Sequence, residues 1–163
     1  MRTPLFATAF SLLLLGSSGG MLAQMPAPTA TTAATPTWNT TLDAALRQAK
    51  ATNKPVLAVF SGSDWCKPCI MLKQEVFDKP EFEQFAKDNF VLARFDFPRS
   101  KKNRLPADQI KQNELAAARL NKEGAFPLVV LISPEGKVLA KTGYRPGGVA
   151  AYDAHLNSLL TRK

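Results

Sequence analysis

The chain contains two cysteines, Cys66 and Cys69, and both lie in one short stretch, residues 61–74, with the sequence SGSDWCKPCIMLKQ. Only Lys67 and Pro68 separate them, so the pair spans about one turn of a helix. Cysteines at this spacing can close a structural disulfide, supply half of a metal site or form a redox centre. Features elsewhere in the chain distinguish these three chemistries.

A metal site and a structural cross-link both fit the chain poorly. A structural zinc site takes four protein ligands, whereas the chain has only these two cysteines and one histidine, His155. We therefore expect no metal site. A disulfide that closes so short a loop removes little entropy from the unfolded chain, so a purely stabilising role is also disfavoured. The redox interpretation explains the spacing better.

The residues around the pair favour redox chemistry. Residues 56–60, VLAVF, form a continuous apolar run typical of a strand that is buried on both faces, and a helical pattern follows the cysteines. Cys66 would then open the helix, where backbone N–H groups stabilise a thiolate. Since the thiolate is the nucleophile of disulfide exchange, we expect Cys66 to attack a substrate disulfide. Cys69, one turn further in, is expected to be more buried and to resolve the mixed disulfide.

Three neighbours of the pair are also candidate site residues. Lys67 adds a positive charge that favours the thiolate. Pro68 lies in the first turn of the helix, where a missing N–H does no harm. Trp65 could cover one side of the pair, or it could be a rim residue in partial contact with the core. A C-x-x-C that follows an apolar strand and opens a helix in a βαβ pattern is a strong indication of a redox pair.

Hydrophobic periodicity predicts the elements that position these residues. An apolar face over 42–49 predicts a first helix, capped by Thr40 or Thr41 and ending before Pro55. In the first half of the domain, the predicted elements are a strand over 56–60, a helix from Pro68 through Phe77, a short helix opened by Pro80 and a strand over 90–95. In the second half, they are a helix from Pro106 to about Lys122, a strand over 128–132, a turn over 133–136 and a return strand over 137–144. A final helix has Tyr152, Leu156, Leu159 and Leu160 on one face. Strands joined through helices imply parallel pairing, and the closing hairpin adds an antiparallel edge. The predicted fold class is α/β, with a central mixed sheet flanked by helices.

The N-terminal part of the chain differs from the rest. Arg2, the apolar run over 5–15 and the small residues after it have the pattern of a cleaved secretory signal peptide over 1–23. An uncleaved membrane tether is the less favoured alternative, because a bilayer span needs about 20 apolar residues. The Pro/Thr/Ala-rich segment 24–37 is predicted to be a disordered linker. The folded domain is predicted over 38–163, in a periplasmic or secreted protein.

The chain is basic, with 21 Lys and Arg against 13 Asp and Glu and a formal net charge of +8. One cluster lies in the segment 97–105, here called the basic loop, which contains Arg99, Lys101, Lys102 and Arg104. The cluster lacks the interleaved aromatic residues expected of a nucleic-acid-binding surface. A solvated loop is the favoured interpretation, and no nucleic-acid partner is expected.

Two stretches of the chain resemble thioredoxin-fold proteins. Similarity to their active site lies in VLAVFSGSDWCKPC, and similarity to the second half of their fold lies in GAFPLVVLISPEGKVLAKTGY. The resemblance covers about residues 38–163 and implies a thioredoxin fold. It also implies that Pro127 is in the cis form and faces the cysteines, and that Gly143 is the family's glycine in the last strand. Backbone beside the proline can pair with an extended substrate, and Phe126 and Trp65 are the expected apolar contacts.

Four positions depart from the thioredoxin pattern. Lys67 replaces the glycine between the cysteines, Arg94 stands where the family usually has a lysine, and Leu128 follows the proline in place of the common threonine. Phe60 stands where the family has a buried acid that accepts a proton from the second cysteine. Because phenylalanine cannot accept a proton, we expect slower deprotonation of Cys69 and less efficient general reductase activity.

The resemblance implies a thiol–disulfide oxidoreductase that exchanges disulfides with exported proteins through Cys66 and Cys69, with reduction the favoured direction. No organic cofactor is needed, but a reductase outside the cytoplasm requires an electron donor, expected to be a membrane protein. A monomer is the default for one such domain. The alternative is a non-catalytic binding or chaperone-like module on a thioredoxin scaffold, because a fold does not determine a function.

Overall fold

A computed structural model describes residues 37–161. The predicted signal peptide over 1–23 and nearly all of the predicted linker over 24–37 lie outside the described residues. The elements, in chain order, are α1 (Leu42–Thr52), β1 (Val56–Ser61), α2 (Lys67–Leu72) followed by a π-helix (Lys73–Phe77), α3 (Pro80–Asn89), β2 (Val91–Asp96), a 3-10 helix (Lys101–Asn103), α4 (Ala107–Leu120), β3 (Leu128–Ile132), β4 (Val138–Thr142) and α5 (Gly148–Thr161). In this part of the chain, no helix is long and apolar enough to cross a membrane.

The strands form a mixed sheet in the order β2-β1-β3-β4. β1 and β2 are parallel, with Val59 opposite Arg94, whereas β3 is antiparallel to both β1 and β4, with Leu128 opposite Phe60. The prediction of parallel pairing is therefore confirmed for β1 and β2 and wrong for β3. The reason is that the chain leaves β2 and enters β3 at the same end of the sheet. β1 leads into the cysteines at that end.

Helices cover both faces of the sheet, as predicted, and β1 is buried between them. One layer packs Val56, Ala58 and Phe60 of β1 against Leu42, Ala45 and Ala49 of α1 and Ala116 and Leu120 of α4. The other layer packs Leu57 and Val59 of β1 against Leu72 of α2, Phe82 and Ala86 of α3, and Tyr152 and Leu156 of α5. The uninterrupted apolar run of β1 is explained by this burial on both faces.

Local signals determine where α1 begins and ends. Thr41, one of the two predicted caps, accepts a hydrogen bond from the Ala44 N–H at its Oγ1 atom at 3.2 Å. Asn53 follows the helix in the left-handed conformation, with φ of 53°. The helix therefore ends before Pro55, as predicted.

Two segments differ locally from the prediction. The helix after the cysteines is α-helical only over Lys67–Leu72 and continues as a π-helix over Lys73–Phe77. Val76 and Phe77 are both buried, and the wider π turn lets two consecutive side chains face the core. The basic loop, predicted to lack regular structure, contains the 3-10 helix Lys101–Asn103.

A buried asparagine fixes the loop that connects α4 to β3. Asn121 is 4% exposed, and its side-chain amide donates to the Ala125 carbonyl and accepts from the Ala125 N–H, each at 2.9 Å. Sequence analysis did not identify this residue. The two hydrogen bonds hold the chain just before Phe126 and Pro127, and so they support the loop that reaches the cysteines.

We predict that Asn121→Ala lowers the free energy of unfolding by about 2 kcal/mol, because two backbone groups of Ala125 lose their partner. Urea unfolding of the oxidised protein measures the change. Asn157→Ala, at an exposed position of α5, is the matched control and should shift stability by less than about 0.5 kcal/mol. Equal midpoints for the two variants would contradict the role given to Asn121.

Candidate active site

Cys66 and Cys69 are joined by a disulfide at the start of α2, with their Cα atoms 5.2 Å apart. Cys66 is the N-cap of α2, and its Sγ accepts a hydrogen bond from the Cys69 backbone N–H at 3.3 Å. The same N–H and the other free N–H groups of the first turn would stabilise a thiolate on Cys66 after reduction. The geometry therefore suits Cys66 as the nucleophile.

The two cysteines are buried to the same extent, at 5% and 4% exposure. The expectation that Cys69 is the more buried is wrong for this oxidised form, because the short disulfide loop holds both sulfurs side by side. Lys67 and Pro68, which separate them, are both exposed. Pro68 lies in the first turn of α2, as predicted.

The Phe126–Pro127 peptide bond is cis, as the resemblance implied. Pro127 and Cys69 line the same small cavity, because antiparallel pairing brings the start of β3 to the end of β1. Gly143 lies directly after β4 and permits a close approach here: a Cβ atom on Gly143 would lie 3.0 Å from the Pro127 carbonyl oxygen. The structure thus brings the predicted proline to the predicted cysteines.

Trp65 joins the cysteine loop to two other loops. Its Nε1 donates a hydrogen bond to the Phe97 carbonyl at 2.7 Å, and its ring meets the Phe126 ring edge to face at 5.4 Å between centroids. The guanidinium of Arg99 lies 3.7 Å from the centroid of the Trp65 ring. These contacts fix the Trp65 ring against Phe97, Phe126 and Arg99 in the loops around the cysteine pair.

A cavity of about 60 Å³ adjoins Cys69, and Val59, Arg94 and Asp96 are among the residues that line it. The Phe60 side chain packs in the opposite layer, against α1 and α4. Assigning the family's buried acid to Phe60 is therefore a one-residue error of register, because neighbouring residues of a strand face opposite sides. Val59 faces Cys69. Since valine also cannot accept a proton, the expectation of slower Cys69 deprotonation is unchanged.

One of the residues that line this cavity, Arg94, carries a positive charge. Arg94, on β2, is half-buried, and its guanidinium lies 4.4 Å from the centroid of the Trp38 ring. Burial lowers the pKa of Arg94, and the carboxylates of Asp78 and Asp96 oppose that shift. A cation near Cys69 favours the thiolate form of that residue. The site therefore presents a positive charge to Cys69 from the strand that neighbours Val59.

Two carboxylates hold the loop before Cys66 against the chain that follows β2. Asp96 accepts hydrogen bonds from the Ser63 N–H at 2.9 Å and from the Ser63 hydroxyl at 2.6 Å. Asp64, on the opposite loop, accepts from the backbone N–H groups of Arg99 and Ser100, each at 2.9 Å. These bonds lower the pKa of Asp64 below its usual value, and the bond from the Arg99 N–H has the largest effect. We call this reciprocal arrangement the Asp64–Asp96 clasp.

The clasp was not predicted. Asp and Ser are common in loops for many reasons, and Asp64 and Asp96 stand far apart in the sequence. Only the parallel pairing of β1 with β2, which puts Ser61 opposite Asp96, brings the two loops together. A cue was present in SGSDW, where two hydroxyl residues and an acid precede the cysteines.

Within residues 37–161, no group of three or more His, Cys, Asp and Glu side chains is placed to hold a metal ion. The histidine considered as a ligand, His155, contacts the Thr142 hydroxyl through its Nε2 atom at 2.9 Å. The redox-capable group of the described chain is the Cys66–Cys69 disulfide itself.

Known proteins resemble this chain in sequence and in fold. Residues 37–134 match the thioredoxin-like family. The chain is 39% identical over 116 residues to the disulfide bond reductase DsbH of Chlamydia pneumoniae, an alignment that covers 71% of this chain and 68% of DsbH. It is 31% identical over 106 residues to the thioredoxin-related protein DsbJ of the same organism, covering 65% of this chain and 30% of DsbJ. A solved structure of a DsbH oxidoreductase superposes with a TM-score of 0.71 and 35% identity, covering 88% of this chain and 96% of that one.

The chain therefore belongs to the thioredoxin-like family. The thioredoxin fold predicted from the sequence is confirmed. The predicted class of enzyme, a thioredoxin-like disulfide oxidoreductase with a C-x-x-C pair, is confirmed as well.

The register of β1 leads to a prediction about the step in which Cys69 resolves a mixed disulfide. Val59→Asp should place a carboxylate beside Cys69 and Arg94, supply a proton acceptor and speed this step about tenfold or more at pH 7. Stopped-flow measurement of thiol release from a preformed mixed disulfide on Cys66, over a range of pH, gives the rate.

Phe60→Asp is the matched control for that experiment. It should bury a carboxylate in the apolar layer formed by α1 and α4, lower the free energy of unfolding by about 3 kcal/mol or more and leave the resolving step unaccelerated. Acceleration by Phe60→Asp, or none by a folded Val59→Asp protein, would contradict the register.

Proposed function

We propose that the protein reduces disulfide bonds in other exported proteins. The observation that carries the proposal is the Cys66–Cys69 pair at the start of α2 with the cis Pro127 beside it. The name of its 39%-identical relative, a disulfide bond reductase, supports reduction as the direction. In this role the protein would act as a dithiol and finish each turnover as the disulfide.

The reaction takes place in two exchanges. The Cys66 thiolate attacks one sulfur of the substrate disulfide, forms a mixed disulfide with it and releases the other sulfur as a thiolate that takes up a proton. The Cys69 thiol then loses its proton and attacks the Cys66 sulfur, which releases the second substrate sulfur. The substrate gains two electrons from the pair and two protons, one of which is released by Cys69 and the other supplied by water.

The residues around the pair bind the substrate and tune the pair. Pro127 lacks a backbone N–H and borders the cavity at Cys69, so free backbone groups beside it can pair with an extended substrate chain. Phe126 and Trp65 provide the apolar contacts. Lys67 favours the Cys66 thiolate electrostatically, and Pro68 fixes the first turn of α2.

The site of action follows from the N-terminal sequence. The signal-peptide pattern over 1–23 supports export to the periplasm or beyond. Exported proteins that carry disulfides are then the substrates, and a membrane protein returns electrons to the oxidised pair. The protein acts as a monomer, without an organic cofactor, a metal ion or a nucleic acid.

We predict that Cys69→Ser traps a mixed disulfide, because Cys66 can still attack but nothing resolves the product. Cys66→Ser should trap none. The variants are mixed with a peptide that contains one disulfide, alkylated, and analysed by non-reducing electrophoresis and mass spectrometry. Trapping by both variants to the same extent would contradict the assigned roles.

The double variant Cys66→Ala/Cys69→Ala separates catalysis from simple binding. A reductase loses turnover completely in this variant. A binding or chaperone-like module would keep its effect on client proteins, and its wild-type form would not reduce the peptide disulfide. That combination would overturn the proposed function.

A further inference from the structure

The basic loop lies beside the cysteine pair, and the reduction mechanism makes no use of its charges. We propose that this loop is a docking surface for acidic segments of protein substrates, next to the disulfide that is reduced. The inference rests on the proposed function and adds the class of substrate. Four observations carry it: the position of the loop, its rigid attachment, its excess of positive charge and an adjacent, mainly apolar cavity.

The position of the loop follows from the contacts of Trp65. This residue precedes Cys66 directly, its ring is covered by the Arg99 guanidinium at 3.7 Å, and its Nε1 is bonded to the carbonyl of Phe97. The loop therefore begins in contact with the residue that precedes the attacking cysteine. A substrate chain bound at Cys66 would run past these cations.

The loop is held in place by the Asp64–Asp96 clasp. Asp64 accepts from the N–H groups of Arg99 and Ser100, and also from the Asn103 Nδ2 atom at 3.0 Å. The 3-10 helix shapes the middle of the loop, and the Ser100 hydroxyl caps it by accepting from the Lys102 N–H at 3.3 Å. A surface fixed in this way presents its charges at defined positions and loses little freedom on binding.

In the described part of the chain, the four cations of the loop form no ion pairs and outnumber the one carboxylate, that of Asp64, which is bonded to the loop. Arg99, Lys101, Lys102 and Arg104 are all exposed, and within residues 37–161 none of the four forms a salt bridge; the ion pairs there are Lys73–Asp78 and Lys141–Glu123. The carboxylate of Asp64 is engaged by neutral N–H groups instead. Such a cluster attracts a chain of opposite charge over roughly one Debye length, about 8–10 Å at moderate salt.

A cavity lies between the first and the last residues of the loop. Phe97, Leu105 and Ile110 line a space of about 150 Å³, with Arg104 and Asp96 among the residues around it. Phe97 also packs on Phe126, with ring centroids 5.4 Å apart, so one wall of the cavity contacts the residue that precedes Pro127. An apolar side chain within an acidic segment would fit this cavity. The preferred substrate is therefore a protein disulfide flanked by Asp or Glu residues.

The test compares three peptides that share one disulfide and differ only in whether Glu, Ser or Lys flanks it. At low salt the wild-type protein should reduce the Glu peptide about five- to tenfold faster than the Lys peptide, with the Ser peptide between them. The ratio should fall towards one as salt is raised. Equal rates for the three peptides would overturn the inference and leave the proposed function standing, whereas reduction of none of them would overturn both.

Variants that remove lysine charges test whether the preference for the Glu peptide comes from the basic loop. Lys101→Gln/Lys102→Gln should lower the Glu-to-Lys rate ratio at least threefold. The matched control, Lys50→Gln/Lys137→Gln, removes the same charge at the end of the sheet away from the cysteines and should keep the wild-type ratio. Equal loss of preference in both double variants would show a general charge effect and contradict a docking surface.

Asp64→Ala separates position from charge, because it makes the protein more basic while removing the hydrogen bonds that hold the loop. A docking surface predicts a lower Glu-to-Lys ratio for this variant despite its extra positive charge. A higher ratio would indicate that net charge alone directs substrates, and would overturn the inference.

Discussion

The antiparallel pairing of β3 with β1 is the constraint on which the site depends. Because Leu128 lies opposite Phe60, the residue that begins β3 meets the residue that ends the apolar run of β1. Pro127 and the cysteine loop are thereby placed at one end of the sheet, although some sixty residues separate them in the chain. Parallel pairing would have put Pro127 at the far end of the sheet, away from the cysteines.

The elements themselves could be predicted because their signals are local. Apolar runs, proline positions and capping residues identified the four strands to within about two residues and the five α-helices to within about four, since α5 begins at Gly148, well before Tyr152. The direction of β3 was not predictable in this way, because it depends on which end of the sheet the chain reaches after α4. That depends on the loop held by Asn121, whose bonds to Ala125 leave no pattern in the sequence.

The sequence predicted the residues that could react, but it did not predict the contacts that hold the loops around them. Cys66, Cys69 and Pro127 carry recognisable spacing and resemblance, and the structure brings them together. The assignment of Phe60 was off by one residue, because counting back from the cysteines assumes a loop of fixed length, while strand alternation decides which side chain faces Cys69. The Asp64–Asp96 clasp depends on the pairing of two strands, so residue types alone could not reveal it.

The charges around the pair suggest how the site works without a buried acid. Arg94 lines the cavity at Cys69 where Val59 offers no proton acceptor, and a nearby cation lowers the free energy of a thiolate. The basic loop adds further positive charge on the side of Cys66. A surface of this kind suits acidic partners, and it accounts for part of the net charge of +8.

The central claim is that the Cys66–Cys69 pair donates electrons to substrate disulfides. The most direct test is its reduction potential, measured by equilibrating the protein with glutathione or dithiothreitol buffers and counting free thiols. The account predicts a value near about −270 mV, typical of a reductase that is recharged by an outside donor. A value near about −120 mV would mark an oxidant and contradict the account, and so would a pair far below about −300 mV that does not exchange within minutes.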